Sequence, residues 1–564
     1  WAHCTARAPR PRHYHRPMTD DTAPPSAESL HELELQRRRN RDAMRALGAD
    51  PYGGRTEGLT SLARARATYD AEADADHQAN GKNEGFIDRR PVAKVAGRVM
   101  LHRDNGKLVW MQLRDHTTGV EQSPDLQIAV SKRDCAERGF DLAKLVDLGD
   151  IVVATGPLMK TKAGEVTIWA SDLDIACKSL ALPPEKRAGL QDPELRYRKR
   201  YVDLYTNPET MRVFQLRSLL VTRLRRFWDE RGFLEVDTPV LQTLAGGAAA
   251  RPFVTHLNAL DIPLFLRVAP ELFLKRLLVG GMPRVYEVAR NFRNEGMDRS
   301  HNPEFSMVEV YEAFGDYRRM MDLTEQLVRD LARCAKAFLS SSTLSPGEGV
   351  SAQRPDEGLP AGEPLVLPFD TLSIDYSKPF ARVTYGELFE KAYGFPMTDK
   401  AKVLAEAKRQ RVENADTLAH ELLVNELFDK AEESIDPATP TFVMDYPAPL
   451  CPLTRPKASD PSVAERFELF IGGMECANAY TELNDPDIQE QKFREQLAGI
   501  DDEESTFRTF DEDFVEALKV GMPPAGGLGV GIDRVVMLLT NSRSIRDVLL
   551  FPMMRPLSQP AVGG

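Results

Sequence analysis

The sequence predicts an α+β chain in which a small β-barrel precedes a larger region of hairpins and long helices. Three observations predict it. Five β-branched and aromatic runs crowd residues 93 to 178. Two later pairs of alternating runs, within 283–313 and 466–482, each join through a turn-like segment. Helical periodicity runs through residues 30–47 and 213–227.

In chain order, "WAHCTARAPRPRHYHRP" (1–17) holds four arginines, three histidines and no acid, and Met18 follows. It reads as an extension outside the fold, either translated sequence ahead of a start at Met18 or an Arg-rich targeting segment. Residues 18–92 are expected to be a helical segment. "LHELELQRRRNRDAMRAL" is a charged helix stopped by Gly48, and its Arg37–Arg39 cluster suits either a phosphate backbone or solvent. "TSLARARATYDAEADA" reads as a second helix.

Within 93–180, "AKVAGRVMLHR", "LVWMQLRD", "DLQIAVS", "DIVVATGPLMKT" and "EVTIWASDLDIA" are strand-like, with "AERGFDLAKLVDLG" helical after the third. Five strands with a helix between the third and fourth describe an oligonucleotide-binding (OB) type barrel. Such barrels stack bases on an exposed aromatic ring in a cationic groove. Trp110, near Arg103 and Lys107, is the candidate platform, since alternation gives the core to Val109 and Met111.

A polar, Pro-containing connector (181–207) leads to a region spanning 208–558. Val213, Leu216, Leu220, Leu224 and Phe227 mark a long helix that Gly232 ends, and "FLEVDTPVL" is a strand interrupted by Pro239. That pair suits a dimer seam or ordinary packing. "PRVYEV" and "PEFSMVEVYEAF" predict a hairpin whose second strand turns Phe305, Met307, Glu309 and Tyr311 to one face, with Arg293 and Glu295 sharing a face of the first. A guanidinium, carboxylates, a ring and a phenol on one surface fit a flat, anionic, partly aromatic ligand. "GLGVGIDRVVMLL" matches neither dinucleotide nor P-loop fingerprints; its alternate glycines bare one strand face, with Arg534 placed to meet phosphate.

In "RFELFIGGMECANAYTELNDP", a turn at Gly472–Gly473 sets Phe470 opposite Glu475 and Glu468 opposite Ala477. Two neighbouring carboxylates call for a cation, and Mg²⁺ bridging triphosphate oxygens is the natural occupant. Asn478, Tyr480 and Glu482 have the other parity, so one pocket requires a bulge near Ala477. The segment "SSSTLSPGEGVSAQRPDEGLPAGEP", within an insertion around 338–366, reads as a flexible surface loop.

At 564 residues, 42% hydrophobic and 28% charged, the chain is long enough for two or three domains, and its apolar runs fall short of a membrane span. A net charge of -12 argues against indiscriminate nucleic-acid binding but leaves room for a local basic face. Six scattered cysteines without a C-x-x-C pair suit free thiols in a reducing cytoplasm.

The helix with its proline strand, "FRNEG" with "HNPEF", and "GLGVGIDR" together resemble motifs 1, 2 and 3 of the class II aminoacyl-tRNA synthetases. From about residue 30 to 556 the chain is similar to the lysyl-tRNA synthetase family. The resemblance implies an anticodon-binding barrel before an antiparallel sheet flanked by helices, a homodimer, and the substrates ATP, L-lysine and tRNA(Lys), with Mg²⁺.

It also implies roles. Arg293 contacts the α-phosphate and the amino-acid carboxylate. Glu295, His301, Asn302, Phe305, Gly531 and Arg534 hold ATP, with Phe305 on the adenine. Arg293, Glu295 and Arg534 are the catalytic set, and Glu468 and Glu475 bind the metal. Gly247 and Glu271 take the α-amino group of lysine, Tyr311 and Glu482 its side-chain ammonium, and Asn478 joins them. Arg103, Trp110, Gln127 and Glu165 read the anticodon, with Trp110 standing for a phenylalanine. "CPLTRP" departs from the family's serine and "PLAR" at Cys451 and Thr454.

Overall fold

The computed structural model describes residues 32–120, 123–184, 189–248, 250–340, 364–497 and 510–557. Residues 1–17 and most of the 338–366 insertion therefore lie outside the described residues. The described chain falls into two compact units, the first ending at Pro183 and the second holding residues 115–125 and those from Pro184 on.

The first unit opens with α1 (Glu32–Ala46), ended by Gly48 at φ 73°. Buried Arg37 donates to the carbonyls of Leu148 and Ser179 at 2.9 and 3.0 Å, so this arginine ties helix to barrel rather than reaching for phosphate. The second expected helix is two, α2 (Leu62–Ala67) and α3 (Ala71–Asn80). The break has a local cause: the Asp70 carboxylate caps the backbone N–H groups of Glu72 and Ala73, starting a new helix where the old one would have continued.

Strands β1 (Val92–Asp104), β2 (Leu108–Arg114), β3 (Leu126–Ser131), β4 (Ile151–Lys160), β5 (Val166–Ala170) and β6 (Asp172–Cys177) form the barrel, with α4 (Glu137–Leu145) after β3. The order β1-β2-β3-β5-β4 closes through β1–β4 pairing, and β6 extends β4. The fifth expected strand is thus split at Ser171 into β5 and β6. Val109, Met111, Ile128 and Leu158 fill the barrel, and Trp110 faces outward between two fully buried neighbours.

The expected connector carries two short helices, α5 (Pro193–Arg198) and α6 (Arg200–Thr206). Next come α7 (Pro208–Asp229), β7 (Leu234–Glu235), β8 (Leu241–Gln242), β9 (Val254–Leu257), β10 (Ile262–Leu266) and α8 (Glu271–Val279). The hairpin β11 (Arg284–Phe292) and β12 (Glu304–Ala313) precedes α9 (Tyr317–Ser340). Then follow β13 (Val366–Phe369), β14 (Leu372–Asp375), β15 (Ala381–Thr384), α10 (Tyr385–Tyr393), α11 (Lys400–Arg409), α12 (His420–Glu432) and β16 (Thr441–Met444). The chain closes with β17 (Arg466–Ile471), β18 (Met474–Thr481), α13 (Pro486–Leu497), α14 (Glu512–Gly521), β19 (Ala525–Gly531), α15 (Ile532–Leu539) and α16 (Ile545–Val548).

The main sheet runs β15-β16-β17-β18-β19-β12-β11-β7. Its six central strands are antiparallel, and β15 and β7 pair in parallel at the two edges. Pro239 stands between β7 and β8, which belong to different sheets. Alternation sorts the central strands. Val308, Val310, Ala477, Ala479, Leu528 and Val530 join α7, α9 and α15 in one apolar cluster, leaving the intervening residues to the opposite face.

Candidate active site

That opposite face is the floor of a cavity of about 770 Å³, a size suited to a nucleotide with a small second ligand. Met307, Glu309 and Tyr311 of β12 line it beside Gly527, Gly529 and Gly531 of β19. Gly527 is the most constrained: a Cβ there would collide with Glu482 and the Tyr311 ring, whereas one on Gly529 would come within 2.9 Å of the Met307 methyl carbon, the end of a side chain that can shift.

A bulge lets β18 serve both faces. Phe470 pairs with Glu475 and Leu469 with Ala477, so Cys476 is the extra residue and the register shifts there. Cys476 and Ala477 both enter the core while Glu475, Asn478 and Tyr480 line the cavity. The expected bulge is present, but with one consequence the ideal hairpin lacks: Glu468 stands opposite Asn478, not Ala477.

Arg293 lies just beyond β11, where its backbone N–H still bonds the Pro303 carbonyl at 2.9 Å. Glu295 lies farther on in the connecting loop, so the strand face expected to carry both ends before either. The Arg293 guanidinium sits 5.1 Å from the Phe305 ring centre, and its Nε has no hydrogen-bond partner among the described residues. Across the cavity, Arg534 donates to the Glu475 carbonyl at 2.7 Å and lies 3.4 Å from its carboxylate. Its other nitrogen meets His301 Nε2 at 2.9 Å, and His301 Nδ1 lies 2.7 Å from Asp298. Burial pushes the Asp298 carboxyl up, but the Ser300 and His301 N–H groups and the His301 ring bring it down to about 2.

Glu468 accepts from Tyr446 at 2.9 Å and contacts Arg466, which also donates to the Cys451 thiol at 3.4 Å. Burial and the neighbouring Glu468 push the Glu475 carboxyl up, against Arg534. Among the described residues no group of three or more His, Cys, Asp or Glu gathers that could hold a metal. Two carboxylates on adjacent strands nonetheless fit Mg²⁺, which takes few protein oxygens and completes its shell from phosphate and water.

A second acidic cluster lies deeper. Glu271, Glu309 and Glu482 are 5%, 4% and 1% exposed. Burial, then the Glu271 charge, raise the Glu309 carboxyl to about 8, with Arg293 opposing. Tyr311 donates to Glu309 at 3.3 Å and Tyr480 to Glu271 at 2.6 Å. Lys275, one turn after Glu271 on α8, contacts both Glu271 and Glu482.

The cavity therefore gathers Gly247, Glu271, Arg293, Glu295, His301, Asn302, Phe305, Tyr311, Glu468, Glu475, Asn478, Gly531 and Arg534. Glu482 is not among the lining residues, but its Oε1 occupies the space over the bare cavity-side face of Gly527, beside the Tyr311 ring. Sequence reasoning left Glu309 without a role and missed Lys275 and Arg466. The shared face of β12 marked Glu309, whereas the other two are set by contacts between distant segments.

On the barrel, Trp110 stands opposite Arg103, and its ring meets Trp169 edge-on at 6.4 Å and 83°. Gln127 donates to Glu165 at 3.4 Å and accepts from Thr167 at 2.9 Å. Trp169, between buried Ile168 and Ala170, is an outward aromatic that the same alternation could have flagged.

Residues 192–555 match the family model "tRNA synthetases class II (D, K and N)", and residues 93–176 match "OB-fold nucleic acid binding domain". The chain is 43% identical to the lysine–tRNA ligase of Pelotomaculum thermopropionicum over 94% of this chain and 96% of that one. It is 41% identical to the lysine–tRNA ligase of Carboxydothermus hydrogenoformans, covering 94% and 99%. With the lysine–tRNA ligase of Bacillus subtilis it shares 40% identity over 94% and 98%.

Proposed function

The chain belongs to the class II tRNA synthetases (D, K and N), and we propose how its cavity divides the work of activating lysine with ATP before lysine is transferred to tRNA(Lys). The observation that carries this reading is Arg293. Its guanidinium lies over Phe305 with Nε unpartnered, at the mouth of a cavity whose depth is acidic. Anions belong beside Arg293 and ammonium groups belong beyond it.

Adenine stacks on Phe305, and Arg534 covers its other face and reaches the γ-phosphate. Glu295, His301, Asn302 and Gly531 complete the nucleotide site. Arg293 binds the lysine carboxylate and the α-phosphate together. A carboxylate oxygen attacks phosphorus, the bond to the bridging oxygen breaks, and pyrophosphate leaves; no side chain need act as nucleophile. Arg293 lowers the barrier by orienting both reactants and by meeting charge that grows as they combine. Glu468 and Glu475 would hold Mg²⁺, which when bound neutralises triphosphate charge. In the second step the terminal tRNA hydroxyl attacks the lysyl carbonyl and AMP departs.

Gly247 and Glu271 receive the α-amino group, and Tyr311, Asn478, Glu309 and Glu482 surround the side chain. An uncompensated buried carboxylate costs roughly 3–5 kcal/mol, so amino acids without a side-chain cation are rejected. Arg103, Trp110, Gln127 and Glu165 read the anticodon on the barrel. Exposed Leu234, Val240 and Leu241 around Pro239 support a homodimer seam. The described cysteines are all free, in keeping with the cytoplasm, and no described helix is long and apolar enough to cross a membrane.

ATP–pyrophosphate exchange, with Mg²⁺ and without tRNA, tests this reading when each of the twenty amino acids is offered separately. Exchange driven by lysine alone is expected. Exchange driven best by aspartate or asparagine would overturn the assignment of the acidic pocket.

A further inference from the structure

Lys275 poses a problem for a pocket built to capture an ammonium group, because it places one there already. Its side chain has no exposure. Nζ lies 2.6 Å from Glu271 Oε1 and contacts Glu482 Oε2, with the Tyr480 and Phe514 ring centres 5.5 and 5.8 Å away. A methionine would fill similar volume without the cost of burying a charge, so a purely packing role gives no reason for the ammonium.

The two oxygens of Glu482 resolve the problem. Oε2 is held by Lys275. Neither oxygen has a hydrogen-bond partner among the described residues, but only Oε2 has the Lys275 ion pair; Oε1, without one, lies against Gly527, whose surface faces the cavity. Charges also balance. Glu271, Glu309 and Glu482 supply three carboxylates against one resident ammonium, leaving room for the two that lysine brings.

Building on the lysine pocket argued above, we propose that Lys275 is a positioning and specificity-determining residue: its ammonium clamps Glu271 and Glu482 so that Oε1 of Glu482 is presented to the substrate's side-chain ammonium. The groups facing this cluster are Glu271 on α8, Tyr480 on β18, Glu482 just after it, and Glu309 and Tyr311 on β12; from α14 only the Phe514 ring approaches. Burial pushes the Glu482 carboxyl up, and Lys275 is the cation that opposes it. Even so the carboxyl stands at about 8, and without Lys275 it rises further and holds its proton against the substrate's ammonium.

The test compares Lys275→Met with the unmodified protein in pyrophosphate exchange. The variant's lysine KM is expected to rise roughly 100-fold at pH 7 and to fall back toward the unmodified value by pH 9, with the ATP KM unmoved. An unchanged or lower lysine KM, or a rise equal at every pH, would overturn the proposal. Should the variant not fold, calorimetry of lysine binding to the unmodified protein in two buffers of different ionisation enthalpy decides. About one proton released per lysine, half from each of Glu309 and Glu482, is expected at pH 8; one and a half or more would mean that Lys275 does not hold the Glu482 carboxyl down. Failure of the unmodified protein to activate lysine would sink the pocket assignment itself, before any variant is measured.

Discussion

On the barrel, Trp110, Gln127 and Glu165 stand half-buried over a core closed by Val109, Met111 and Ile128, whereas in the cavity Glu271, Glu309 and Glu482 are almost wholly removed from water. The difference sets what each region can do. An outward ring with polar neighbours offers stacking and hydrogen bonds of modest strength, each base stack adding about 1–3 kcal/mol. A buried carboxylate must find a cation or a proton, so its preference between substrates is steep. The barrel is suited to grip and the cavity to choose.

Breaking the cavity should therefore cost most. Arg293→Ala is expected to lower lysine-dependent exchange on the order of 10³-fold while tRNA binding, measured by filter retention, stays within a few-fold. Gly527→Ala comes next: its methyl group would meet Glu482 and the Tyr311 ring, and the lysine KM should rise roughly tenfold or more with little change for ATP. Trp110→Ala sharpens the contrast from the other side. It should raise the tRNA KM by the equivalent of about 1–3 kcal/mol and leave tRNA-free exchange unaltered, while Trp110→Phe keeps most of the binding.

A further effect on the cavity is one of pH. The Glu309 carboxyl, at about 8 in the empty pocket, must ionise to pair with an incoming ammonium. The lysine KM should fall by up to about tenfold per unit as pH rises from 6 to 8 and then level off. For stability the sign is opposite: because the folded carboxyl holds its proton more tightly than the unfolded one, the empty protein loses stability as pH climbs from about 4.5 to 8. A lysine KM flat across that range would place Glu309 outside the binding step.

Much of this could be read from the chain because strands print their two faces in alternation. Val109 and Met111 against Trp110, and Leu528 and Val530 against the glycines of β19, follow directly from a period of two. The bulge at Cys476 was also legible, since Glu475 and Glu482 can share a cavity only if the parity changes between them. The exact partner of Glu468 was not, because one inserted residue shifts every later pairing. Nor was Lys275, whose spacing from Glu271 shows a helix pair but not Glu482, two hundred residues away. The break at Asp70 escaped because an acid inside a helical pattern reads equally as a solvent-facing residue or as a cap.

Glu482→Gln tests most directly the claim that a buried acid makes the choice of substrate. Steady-state exchange should show the lysine KM raised roughly 100-fold or more and the ATP KM within twofold of the unmodified protein. A lysine KM that does not move would contradict the account and return the choice of amino acid to some other part of the cavity.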